Sequence, residues 1–284
     1  SLDGHIVFSD FSSGWIGAVD FRSNADDQRP IRCLFWDDNI STLGTHPLTG
    51  DILLADWREG TIKKIITGGA PDATPLPEKL SDLGLFRNLA TLEPHDGIVP
   101  YEVATPLWSD GAHKRRWFSV ANLQSKIHFN AYKPWSFPGG AAWVKHFELD
   151  VIDDGLAKRK RLETRILYKT PWYWYGTTYR WNDAQTAATL VPPDGESEEL
   201  TIRDGYGLAK LVWSYPSRRE CLSCHNYKSR GALGFYTAQL NRPIDYGDGT
   251  ENQLEALSRA GYLDREITDP PTYPALAPLD DETK

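Results

Sequence analysis

Cys221-Leu222-Ser223-Cys224-His225 is the stretch of this chain whose residue types and spacing point to a definite chemistry. Thiols three positions apart fall on one side of a helical turn, and an imidazole follows the second thiol directly. Such thiols can add across two vinyl groups of a porphyrin while the imidazole reaches its iron. Cys221 and Cys224 are therefore candidate attachment points of one c-type haem, with His225 the candidate proximal iron ligand. The preceding Pro216-Ser217-Arg218-Arg219-Glu220 predicts a helix capped near Ser217, which would hold the sulfurs one turn apart. The same spacing also serves a thioredoxin-like redox pair, a structural disulfide or half of a zinc site. Zinc needs two further clustered ligands, whereas Cys33 is remote and sits in an apolar run, where a buried inert thiol is expected.

An iron held by His225 has a second axial position. The chain contains no Met, so the thioether ligand used by many small c-type cytochromes is closed to it. His5 and His46 fall in a separate N-terminal stretch, and His95 and His113 in turn-like segments. His146 lies in a strand-like run between Lys145 and Phe147, where a rigid sheet would aim it, and is the candidate distal ligand. The alternatives are an open or water-bound site, His113, His128, a Lys or a Tyr. Arg165 and Arg180 are candidate partners of haem carboxylates, with sheet salt bridges to Glu163 or Asp183 as the competing role.

The elements that must position these residues are mainly β. Of 284 residues, 40% are hydrophobic, 25% charged and 12% aromatic, with 11 Trp, 23 Gly and 19 Pro, a mixture that suits β layers better than helix bundles. A formal charge of -8 argues against nucleic-acid binding through phosphate neutralisation. No apolar run approaches the ~20 residues of a membrane span. Beginning at Ser1 and lacking Met, the chain reads as processed or as a fragment.

Short alternating runs over residues 4–66, such as His5-Ile6-Val7-Phe8 and Ile52-Leu53-Leu54-Ala55-Asp56-Trp57, have the hairpin spacing of propeller blades, with length for about one blade. Residues 67–78, with three prolines and two glycines, read as a linker. Lys79 to Ala90 predicts a short amphipathic helix through Leu80, Leu83, Leu85, Phe86 and Leu89. Strand-like stretches then recur at Arg116 to Val120, Ala141 to Ile152, Arg161 to Lys169, Trp172 to Trp181 and Gly207 to Trp213. The fold class is thus mainly β: partial β-propeller blades over 1–66, a linker over 67–78, and over 79–284 an antiparallel β-sandwich or jelly-roll-like unit with a small α-helical haem c segment. Lys158-Arg159-Lys160-Arg161 suits a solvated hairpin better than a docking patch. Trp172-Tyr173-Trp174-Tyr175 suits core filling better than a sugar platform.

Two resemblances add to this reading. Ile6-Val7-Phe8-Ser9-Asp10-Phe11-Ser12-Ser13-Gly14-Trp15-Ile16 with Gly50-Asp51-Ile52-Leu53-Leu54-Ala55-Asp56 resembles a late blade of the glucose/sorbosone dehydrogenase-like propellers, which use pyrroloquinoline quinone. Pro100-Tyr101-Glu102-Val103, Pro106 to Ala112, Trp143-Val144-Lys145-His146-Phe147, Leu162-Glu163-Thr164-Arg165, Thr178 to Asn182 and Leu233 to Asn241 occur in that order around the CxxCH motif. Together they resemble the C-terminal haem c region of bacterial exported proteins fused to such a propeller, over roughly residues 80 to 265. The resemblance implies electron transfer by one haem c from a quinone-type sugar or alcohol dehydrogenase module, an upstream propeller in the same polypeptide, to an external redox partner. It also implies a periplasmic or exported location, and quinone cofactor only in the complete protein.

Overall fold

The computed structural model describes residues 2, 4–11, 14–21, 31–37, 39–66, 76–170, 174–226, 229, 231–247 and 249–277. They divide into two compact units, Ser1–Pro75 and Leu76–Lys284. Of the expected linker, 67–75 lies outside the described residues, as do Trp172 and Tyr173 of the aromatic run.

In the first unit, β1 (His5–Asp10), β2 (Trp15–Asp20) and β3 (Ile31–Trp36) form one antiparallel sheet in chain order. A second sheet comprises β4 (Ile40–Thr45), β5 (Ile52–Asp56) and β6 (Thr61–Lys64). Two three-stranded meanders thus stand where the length argument allowed about one blade. Ile16, Ile40 and Leu54 make their shared core. The β5–β6 turn is fixed by Asp56, whose Oδ1 accepts the Arg58 and Glu59 amides at 2.9 Å each, and by Gly60 at φ 65°. Cys33 on β3 is exposed, contrary to the expectation of a buried thiol, because alternation along a strand turns every second side chain outward regardless of its apolar neighbours.

The second unit opens with a 3-10 turn at Leu80–Leu83 and the small hairpin β7 (Phe86–Asn88) and β8 (Glu93–Pro94). The expected helix over 79–90 does not form. Gly84 takes the left-handed conformation at φ 66° and ends the turn after four residues. Its apolar residues are nonetheless used, since Leu80 is in the core and Leu83, Leu85, Phe86 and Leu89 pack against it.

The main body is a six-stranded antiparallel sheet containing β9 (Val99–Pro100), β10 (His113–Ser119), β11 (Ala142–Asp153), β12 (Leu156–Lys169), β13 (Trp174–Trp181) and β14 (Ala188–Leu190), neighbours in chain order. Side chains alternate between its faces, and the register decides which residues meet. Trp117, Val144, Tyr179, Trp181 and Ala188 line one face and pack with Leu80 and Leu92. Phe147 on the other face packs with Trp213 and Leu200 of the hairpin β15 (Glu196–Asp204) and β16 (Gly207–Tyr215).

The remaining chain holds α1 (Arg218–Cys224), α2 (Thr237–Leu240), the short hairpin β17 (Pro243–Asp245) and β18 (Thr250–Asn252), and α3 (Gln253–Arg259). An aromatic cluster ties this part to the sheet. Phe235 stands 4.7 Å from Tyr101, 4.9 Å from Phe137 and 5.3 Å from Phe118, and so anchors the loop that follows the CxxCH motif. The basic run Lys158 to Arg161 lies on β12 and is neutralised locally. Lys158 pairs with Asp153, Arg159 with Asp150, Lys160 with Glu198, and Arg161 with Glu148. Trp174 is buried and meets Trp143 at 5.1 Å, the core role expected for the aromatic run.

Candidate functional site

Helix α1 begins where the sequence places its cap. The Ser217 hydroxyl accepts the Glu220 amide at 3.1 Å, and the Glu220 carboxylate accepts the Ser217 amide at 2.8 Å, a reciprocal capping box. Seven residues later the helix ends at Cys224, and His225 leaves it with φ -97° and ψ 71°.

The helix docks on β13 through a glycine. A Cβ at Gly176 would stand 2.4 Å from Cys221 Cβ and 3.1 Å from its Sγ, so only a residue without a side chain lets α1 approach the sheet this closely. Cys221 is partly buried there, and burial pushes its thiol above the ordinary value, with Arg165 acting the other way. Cys224 is exposed one turn on.

His225 is oriented by its own loop. Asn226 and Ser229 close a turn, with the Asn226 amide on Ser229 Oγ at 3.0 Å and the Gly231 amide on the Asn226 carbonyl at 3.1 Å. This brings the Gly231 carbonyl to His225, whose Nδ1–H donates to it at 2.5 Å. Gly231 has φ 74°, and a Cβ there would fall 1.9 Å from Cε2 of Trp174. Burial lowers the proton affinity of His225, with the Gly231 bond opposing and Lys145 and Arg165 reinforcing the shift. The neutral ring therefore keeps its proton on Nδ1 and its lone pair on Nε2. A backbone carbonyl that fixes the tautomer in this way is the usual outer-shell partner of a metal-ligating histidine.

Cross-strand register places a row of cations on the same face. Arg116 pairs with Lys145, Lys145 with Arg165, and Arg165 with Thr178. Like charges directly opposite one another destabilise a sheet, by about 3 kcal/mol per pair at ~5 Å and an effective dielectric of ~20. Burial, then Arg116, Lys114 and Arg165, push Lys145 down to about 7. Arg165 bonds Glu163 Oε1 at 2.6 Å, as weighed from the sequence, whereas Arg180 bonds Glu198 at 3.1 Å and Glu196 at 3.3 Å, and Asp183 goes to Lys160. Four buried polar atoms on this face find no partner: Trp143 Nε1, Arg165 Nε, Glu163 Oε2 and Thr178 Oγ1. Such atoms are few in native proteins, and their gathering beside α1 marks where a bound group would belong.

His146, the candidate distal ligand, is not brought to this site. It is in register with Thr164 and Tyr179, one position off the row of Lys145, Arg165 and Thr178, and so faces the opposite side of the sheet. Both nitrogens are used there. Its Nε2–H donates to Glu148 Oε1 at 3.3 Å and its Nδ1 accepts from the Thr164 hydroxyl at 2.9 Å, while Thr164 Oγ1 accepts the Trp181 indole N–H at 3.0 Å. The residue is fully buried, and burial holds it below its ordinary proton affinity. His113 pairs with Asp150 at 3.1 Å, and His128 pairs with Asp264.

A histidine buried neutral stabilises the fold above its unfolded pKa of about 6.5, and that contribution is lost as pH falls and the unfolded chain takes up the proton. Melting temperature is therefore expected to drop between pH 7 and pH 5. His146→Ala should cost roughly 2–4 kcal/mol through its cavity and the stranded Thr164 and Glu148 groups. An unchanged melting temperature in that variant would contradict this placement.

Sequence reasoning did not single out Gly176, Gly231, Lys114, Arg116 or Lys145. Their roles arise from contacts between separate strands, and no local spacing signals them. Among the described residues no three His, Cys, Asp or Glu side chains gather as a metal-holding group, so the zinc reading gains no further ligands. Comparison with models of known protein families, with curated proteins and with solved structures finds no match to this chain.

Proposed function

We infer that this chain transfers electrons through one covalently attached c-type haem. The observation that carries the reading is His225, its Nδ1–H tied to Gly231 and its Nε2 left as a ligand, at the end of the short helix that presents Cys221 and Cys224. Cys221 and Cys224 would hold the group through thioethers, and His225 would hold its iron. The orphaned N–H groups of Trp143 and Arg165 fit a group that brings acceptor oxygens to this face. When bound, the haem supplies a one-electron step between ferric and ferrous iron. The chain's part is to fix the imidazole, exclude water with Trp143 and Trp174, and set the local charge through Lys145 and Arg165.

In the complete protein the donor would be a quinone-type sugar or alcohol dehydrogenase propeller, to which the two N-terminal meanders would belong, and the acceptor an external redox partner. Thioether attachment of haem places this chemistry in an oxidising, exported compartment such as the periplasm. No helix among the described residues is long and apolar enough to cross a membrane. The test is potentiometric: a matured chain should show a Soret band and titrate reversibly as a single one-electron centre, and a chain without a Soret band would end the proposal. A second reading, an iron with an open position and its own reactivity, is favoured by the engagement of both His146 nitrogens elsewhere. Carbon monoxide binding to the reduced protein would select it.

The six strands among the described residues of the first unit cannot close a propeller, which needs at least about four blades. The isolated chain is therefore expected to show no dye-linked glucose or alcohol oxidation when given pyrroloquinoline quinone and calcium. Measurable turnover would refute this division of labour.

A further inference from the structure

Lys114, Arg116, Lys145 and Arg165 stand together on one face of the main sheet, and among the described residues the fully buried carboxyl beside them is Glu163. Arg116, Lys145 and Arg165 occupy one register row over β10, β11 and β12, and Lys114 lies two residues before Arg116 on the same side. Asp110 acts on Lys114 at the edge, and the acid in reach of the row itself is Glu163, two residues before Arg165. Its Oε1 is already taken by Arg165 at 2.6 Å and by the Trp213 indole at 3.1 Å, and burial holds its carboxyl above the ordinary range. Lys145 makes no ion pair among the described residues, and its ammonium rests 4.8 Å from the centre of the Phe147 ring. Glu102, which acts on Arg116 from a distance, is bonded to Arg242 at 3.1 Å.

The unpartnered groups on this face are mostly donors. Trp143 Nε1–H, on a side chain 6% exposed, and Arg165 Nε–H both lack acceptors, and the Lys145 ammonium has a ring in place of an oxygen. A sheet face that sets like charges side by side and leaves N–H groups unmet lacks an anion with several acceptor oxygens. Guanidinium groups hold carboxylates through paired hydrogen bonds, and a neighbouring ammonium adds charge without demanding geometry.

We propose that Arg116, Lys145 and Arg165, with the Trp143 indole, form a carboxylate-binding site. Two sources share that chemistry: the carboxylate side chains of a haem attached at Cys221 and Cys224, or a free organic acid. Only the first source rests on the electron-transfer reading, because the row of cations exists whether or not haem attaches.

The probe is succinate, compared with sodium chloride at equal ionic strength, on the full chain produced without haem attachment. Succinate should raise its melting temperature saturably by about 2–5 °C, and chloride should not. Lys145→Met should raise the melting temperature without succinate and abolish the succinate effect, because it removes one of the crowded cations. A cation needed merely for the fold would give the opposite sign. In the haem-bearing chain, loss of the succinate response would show the attached group's carboxylates in the row, and its persistence would show a site for free acid. If the colourless chain does not fold, the coloured protein decides: Lys145→Met and Arg116→Gln should each lower the midpoint potential. No succinate effect together with a lower melting temperature in Lys145→Met, or, in the coloured protein, potentials unmoved by both variants, would overturn the proposal.

Discussion

Expressed with a haem c maturation system, the chain is expected to be red and to keep its colour through denaturation and acidic organic extraction. The double variant Cys221→Ala/Cys224→Ala should retain none. Both thiols belong to one short capped helix and the adjacent imidazole already has the tautomer that a ligand needs, so the expected effect is all or none. Single variants should separate the two bonds. Cys224 is exposed and Cys221 rests against Gly176, so Cys224→Ala leaves a thioether at a shielded position and Cys221→Ala one at an open position. Colour that extracts from the native chain would show non-covalent binding. A colourless native chain from a competent host would remove the haem altogether.

The second large effect is expected at Gly231. Alanine there meets two penalties at once: a left-handed φ of 74°, and a Cβ within 1.9 Å of the Trp174 indole. The backbone cost is roughly 1–2 kcal/mol and the overpacking cost roughly 1–3 kcal/mol, so Gly231→Ala should lose about 2–5 kcal/mol of stability. Trp174 cannot simply turn away, because it is buried against Trp143. The Gly231 carbonyl would move with the backbone, loosening His225 and disturbing any iron held there. Gly234 is the control. It has φ 78°, but a Cβ there meets nothing nearer than 3.9 Å, so Gly234→Ala should show the backbone cost alone. Equal melting temperatures for the two variants would mean that the Trp174 contact has no weight.

The parts of this molecule that depend on neighbouring residues were legible in the sequence. Ser217 and Glu220 form the expected cap because a capping box needs four consecutive residues and nothing else. β10, β11, β12, β13 and β16 fall close to the strand-like runs read from the sequence, although β12 reaches back to Leu156 through charged residues that pair across strands, whereas β14 and the Glu-rich β15 gave no such signal. The helix expected over 79–90 failed on one residue, Gly84, whose left-handed turn cut a helical spacing that the core then used without a helix. His146 shows a different limit. Period-two alternation says that it lies opposite Lys145 in orientation, but not which face carries α1. That is decided by Gly176 on β13, a strand distant in the chain. The cation row was illegible for the same reason, since its three members come from three strands.

The contact between Cys221 and Gly176 also carries a consequence for the order of events in time. Once α1 has settled on β13, one thiol faces the sheet backbone and the other faces outward. A large flat molecule can then approach Cys224 freely, whereas Cys221, partly buried against Gly176, is open to it only on the side away from β13. If both sulfurs join a single group, as proposed, the bond at Cys221 is therefore expected to form faster before the helix docks, when the peptide is still pliant. On the proposed attachment, Gly176 would in this way act as a latch on biogenesis, because docking the helix on it would slow the bond at Cys221 relative to that at Cys224.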